Sequence, residues 1–168
     1  MFSLDTLRAL YEYNEWANTH VLDAAAGLND AELGRDLGAS FGSARGNLVH
    51  QVGAQIVWLT RWAGEKSEAY ALVAEQPGLD TIRQAFQISH DDLRRFIDSI
   101  SEADLEGDRP YRDGEGQLRE RPLWQLMLQV ANHGTHHRAE TALMLTTLGR
   151  PPRQLDYLFF ELERNPPA

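Results

Sequence analysis

Cysteine is absent from this chain of 168 residues. Its absence excludes disulfides, a cysteine nucleophile and thiolate metal ligands, and it suits a reducing compartment. Any thiol chemistry therefore needs a thiol from outside the chain. Long apolar runs are missing too. No stretch approaches the roughly 18 apolar residues of a membrane span, and MFSLDTLRALYEYNEWANTH carries charges every few residues where a signal peptide has an unbroken apolar core. A cytoplasmic protein with no membrane partner is expected. Clustered positive charge is the third absence. With a net charge of −9 and scattered arginines, the chain lacks the electrostatic footprint of nucleic-acid binding. No phosphate-cradling glycine loop occurs, because neither a lysine nor a helix start follows GEGQL in the P-loop manner, and no nucleophile-elbow pattern is present.

What is present is helical periodicity. Leu4, Leu7, Tyr11, Asn14, Asn18, Leu22 and Ala25 recur at spacings of three and four behind a candidate cap at Ser3. Buried amides need partners, so Asn14 and Asn18 either bond to a neighbouring helix or face a polar cavity. A second helix, capped by Ser40 or Ser43, carries Leu48, Val52, Ile56 and Leu59 on one face. Its other face holds Ser43, Gly46, His50, Ala54 and Val57. Residues 65–79 read as a loop with short helical possibilities. A third helix, capped by Asp80, carries Ile82, Phe86, Leu93, Phe96, Ile97 and Ile100. Residues 108–122 form a small hairpin around Asp113-Gly114 and Glu115-Gly116. Long helices are expected over 3–26, 42–63, 80–101 and 122–148, followed by a short last helix, RQLDYLFFELER. This makes an all-α four-helix bundle, with a single domain over 1–164 and a loosely attached tail over 165–168.

The stretch from Arg121 to Gly149 carries the chemistry. Pro122 suits a helix start, and Gly149 with Pro151 and Pro152 stops the helix. At about 100° per residue, His133 and His137 fall in or beside the sector of Leu123, Leu126, Val130, Met144 and Leu148. His136 points elsewhere, among Gln125, Gln129, Asn132 and Glu140. Two inward imidazoles one turn apart either share a divalent ion or bond to a neighbouring polar group, and the pair alone leaves both readings open. A catalytic metal site usually takes three protein ligands from facing helices. His50, among small residues, is the best-placed third. His20 and His90 read as solvent-facing. The second apolar line of the last long helix, Trp124, Leu128, Ala131, Ala139 and Ala142, is more than one buried face requires, so part of it is expected to pack on another helix of the chain and some helix surface to pair two copies.

Five segments in order then carry a resemblance: YNEWAN at 13–18, SFGSARGNLVH at 40–50 followed by the tryptophan of IVWL, the hairpin, NHGTHHRAE at 132–140 and LGRPPRQLDYL at 148–158. Nearly the whole chain resembles the DinB family, the DNA-damage-inducible four-helix bundles that are unrelated to the polymerase of that name. The family's metal triad matches His50, His133 and His137. One departure is Glu140, where many relatives carry glutamine.

The resemblance implies one divalent ion, commonly nickel, zinc or iron, and a homodimer. It also implies a thiol-dependent transferase or isomerase whose partners are a small-molecule thiol and an electrophile. Imidazole ligands suit zinc first, with nickel or iron as alternatives. Metal-dependent hydrolysis and a non-catalytic metal-binding stress-response module stand as the other readings, and Asn14 and Asn18 are candidates for orienting the incoming molecule.

Overall fold

The computed structural model describes residues 3–63 and 76–166. Its elements in chain order are α1 (Leu4–Ala25), α2 (Asp30–Leu33), α3 (Ala44–Ala63), α4 (Leu79–Ser99), α5 (Glu102–Glu106), β1 (Asp108–Arg112), β2 (Leu118–Pro122), α6 (Leu123–Thr147) and α7 (Tyr157–Arg164). The loop expected over 65–79 lies largely outside the described residues. Of it, residues 76–78 are non-helical.

Local chemistry accounts for most boundaries. The Ser3 hydroxyl accepts the Thr6 amide at 3.2 Å, and the Ser43 hydroxyl accepts the Gly46 amide at 3.1 Å, so each caps the helix it precedes. Asp80 is not a cap: α4 starts one residue earlier behind Gly78, and Asp80 sits in the first turn, where its charge complements the helix dipole. At the end of α6, Gly149 adopts φ 75°, which lets the Arg150 amide reach the Leu145 carbonyl at 2.8 Å. This left-handed turn brings the Arg150 amide back onto the end of the helix, and glycine enters it without a Cβ penalty. The one-turn helices α2 and α5 were not expected. Each is held by a capping box, Asn29 with Glu32 and Ser101 with Asp104. The last helix begins at Tyr157, four residues later than the sequence pattern placed it.

α1 and α3 each pack against both α4 and α6, so the four long helices form the corners of a bundle. The antiparallel hairpin pairs Asp108 with Pro122 and Arg112 with Leu118, and leads directly into α6. Two apolar clusters fill the bundle. One is built from Val21, Leu48, Ile56, Ile82, Phe86 and Leu145, the other from Leu7, Leu59, Leu93, Ile97, Leu123 and Met127. Burying each such side chain stabilises the fold by about 1.5–3 kcal/mol. Between them runs a belt of buried polar side chains: Asn14 and Asn18 on α1, Asn47 and Gln51 on α3, Ser89 and His90 on α4, and His137, Arg138 and Thr141 on α6. Among the described residues no helix is long and apolar enough to cross a membrane.

Candidate metal centre

His133 and His137 lie one turn apart on α6, and His50 faces them from α3. The three imidazoles offer nitrogens that all lie within 4.8 Å of one another. His50 Nε2 and His133 Nε2 are 3.0 Å apart. Two nitrogens bound at about 2.1 Å to a tetrahedral ion sit about 3.4 Å apart, so this spacing is close to one edge of such a polyhedron.

The third imidazole is oriented from behind. His137 Nδ1 lies 3.1 Å from both Asn47 Oδ1 and Glu140 Oε2, and its N–H donates to these acceptors. His137 Nε2 is then left with its lone pair, and it makes no hydrogen bond among the described residues. Glu140 is itself fixed: Oε1 accepts the Ser40 hydroxyl at 2.5 Å, and Oε2 accepts Asn47 Nδ2 at 3.3 Å. That shell of acceptors is how metal-bound histidines are commonly held. Phe41 stacks on His50 with ring centroids 3.7 Å apart, covering one face of the imidazole.

The charge state suits the same chemistry. Burial first, then the neighbouring His137 and His133 rings, pushes the His50 pKa down to about 4. Burial and the imidazoles of His137 and His136 also lower that of His133. The Ser40 hydroxyl above all holds the Glu140 carboxyl below its ordinary range. The centre therefore offers neutral nitrogen donors at His50 and His133, with an ionised carboxylate behind the third imidazole, and this donor set fits a divalent ion of borderline softness.

His136 is exposed and joins a second possible grouping with His137 and Glu140. In that grouping the carboxylate is already engaged by Ser40, Asn47 and His137. His20 is half-buried with its ring edge-on to Trp16 at 4.7 Å. His90 corrects the expectation of a solvent-facing side chain. It is only 6% exposed and its Nε2 lies 3.1 Å from Asn18 Nδ2. The α4 face that looks polar by periodicity is turned into the belt.

Asn14 and Asn18 also meet a neighbouring helix. Both side-chain carbonyls accept from Arg138 Nη1, and Arg138 Nη2 donates to Thr135 Oγ1 at 2.9 Å. Neither asparagine hydrogen-bonds to His50, His133 or His137. Asn47 and Arg138 escaped the sequence reading. Asn47 sits one turn before His50, and Arg138 directly follows His137, so proximity in sequence was the available signal for both.

A bundle whose facing helices bring three imidazoles together, with a carboxamide and a carboxylate behind one of them, belongs among helical proteins that could hold a metal ion between facing helices. The comparison with known families is specific about which. The chain belongs to the DinB family, whose model matches residues 1–166. It is also similar to Protein DinB of Bacillus subtilis (strain 168), 24% identical over 153 residues that cover 88% of this chain and 89% of that protein.

Proposed function

We propose that His50, His133 and His137 hold one divalent ion and that the protein transfers a small external thiol to a small electrophile. The observation that carries this reading is the convergence of three imidazoles whose third member is fixed through Nδ1 by Asn47 and Glu140. Zinc is the first choice, with nickel or iron as alternatives. A bound divalent ion supplies positive charge that favours the deprotonated form of a thiol or water beside it.

The chain's own residues set the conditions. It has no cysteine, so the thiol is a cosubstrate. Asn47 and Glu140 keep the His137 Nδ1 proton in place, which aims the Nε2 lone pair at the centre. Phe41 shields the His50 ring from water. Asn14 and Asn18 act through Arg138, holding the α6 segment that carries His137 against α1. Two copies of the chain pair in a cytoplasmic dimer, with the exposed Ala139 of α6 at the contact.

The test is to measure metal content and thiol consumption together. Protein loaded with zinc, nickel or iron is offered thiols with a panel of electrophiles. Alanine at His50, His133 or His137 is expected to abolish both readouts, and His136→Ala to leave metal content nearly intact. Turnover that survives His137→Ala refutes the metal mechanism. Turnover with water alone makes the protein a hydrolase, and metal binding without turnover makes it a non-catalytic module.

A further inference from the structure

Most arginines of this acidic chain are ion-paired, whereas Arg35, Arg61, Arg112, Arg121, Arg138 and Arg150 form no ion pair among the described residues. Arg112 Nη1 donates to the Gly116 carbonyl at 2.9 Å, Arg121 Nη1 donates to the Glu120 carbonyl at 2.8 Å, and the Arg61 guanidinium lies 4.6 Å from the Trp58 ring centroid. All three line one cleft of about 560 Å³ between α3, the hairpin and the first turns of α6.

The one carboxylate in that wall does not offset them. Asp113 is bridged by Arg119 at 3.0 Å and accepts the Glu115 and Gln117 amides. Three arginines therefore line the cleft beside one already neutralised acid, in a protein whose net charge is −9. A cleft lined by one sign of charge draws in an anion. Guanidinium groups match carboxylate and phosphate oxygens through paired N–H donors. Trp58 and Tyr111, with ring centroids 5.5 Å apart, add an apolar wall beside the charges.

The position of the cleft relates it to the imidazole triad. Gln129 lines it, and His133 follows one turn later on α6, about 6 Å of helix rise. On α3, Trp58 lines it and His50 precedes by about two turns, or 12 Å. The volume is in the range of small-molecule sites, about 300–1,000 Å³.

We propose that this cleft binds the anionic end, a carboxylate or a phosphate, of a small molecule whose reacting end lies at the His50, His133 and His137 centre. The second half of that statement rests on the metal-centre reading; the anion site does not. The ligand class is a small anion with a flat or apolar portion next to its charge, so that the guanidiniums take the charge and Trp58 and Tyr111 take the apolar part.

The probes are benzoate, phenyl phosphate and the neutral benzamide, titrated while the indole N–H signal of Trp58 is followed by NMR, with assignment by Trp58→Phe. Either anion is expected to shift that signal saturably, at least tenfold more tightly than benzamide. The variant R61Q/R112Q/R121Q is expected to weaken the anion at least tenfold with an unchanged helical circular-dichroism spectrum, since all three side chains are exposed. A preference between phenyl phosphate and benzoate identifies the phosphate or carboxylate source. No saturable shift, equal binding of benzamide, or full binding by the triple variant overturns the proposal. The titration is repeated in metal-free His50→Ala/His133→Ala protein, where anion binding is expected to persist, and its loss there overturns the assignment to the cleft. Anion binding by a wild-type protein that takes up no metal sinks the metal reading alone, and metal uptake without anion binding sinks the cleft alone.

Discussion

At the residue scale, the side chain with the most work behind it is Glu140. It ties Ser40 of the preceding loop, Asn47 of α3 and His137 of α6 into one unit, so a single carboxylate holds two helices and a loop around the imidazoles. Glutamine at this position keeps an acceptor for His137 but removes the charge that makes the ring a better donor. Glu140→Gln is expected to lower metal affinity about 10- to 100-fold, the usual cost of altering such a partner. A competition titration against a chelator measures it. Unchanged affinity would mean that Asn47 alone orients His137.

At the element scale, α3 approaches the loop before it at Gly46. A Cβ there would stand 2.2 Å from the Phe41 carbonyl oxygen, which is backbone and has little room to move. Gly53, about two turns further along the same helix, has open space. Gly46→Ala is expected to destabilise the protein by about 1–3 kcal/mol through this overpacking and to displace Phe41 from His50. Gly53→Ala is expected to stabilise it by about 0.5–1 kcal/mol through helix propensity. Urea unfolding of the two variants tests both signs, and equal effects would show that the close approach at Phe41 carries no strain.

At the scale of the whole molecule, the polar belt makes folding sensitive to acid. Burial first, then the charges of Arg94 and Arg138, pushes the His90 pKa down to about 4, with Asp91 opposing. The unfolded chain takes up this proton near the ordinary value of 6.5, whereas the folded chain resists it until about pH 4. Stability from this group is therefore complete above pH 6.5 and is lost as pH falls towards 4, by roughly 3 kcal/mol in all. His50 and His133 act with the same sign, so the comparison is made on metal-free protein. Across that window His90→Gln is expected to flatten the fall in unfolding free energy relative to the parent, and identical slopes would remove His90 as a cause. Assembly is tested on the same scale. We expect a dimer in sedimentation at micromolar concentration and its weakening by Ala139→Glu, whereas a mass of 19.0 kDa for the parent would remove the pairing.

The sequence by itself determined the helices, because a 3.6-residue apolar period with caps and stop signals is a property of one segment at a time. Leu4 to Ala25 and Leu123 to Met144 could be assigned their inward faces without knowing any neighbour. It also put His133 and His137 on one inward face, because direction on a helix follows from spacing, whereas His50, off the apolar stripe of its own helix, was added for its small neighbours and by the family resemblance. What one helix cannot encode is which group of another helix stands opposite. Asn14 and Asn18 could have faced a cavity or a neighbour, and only the packing of α6 on α1 brought Arg138 to them. His90 looked solvent-facing for the same reason, since its burial depends on α1 and Arg138. The pairing of Asn47 with His137, 90 residues apart, and the gathering of Arg61, Arg112 and Arg121 around one cleft were likewise decided by tertiary structure. Hydrogen bonds and charge clusters act over a few ångströms of space, and the chain sets those distances only once its helices have packed.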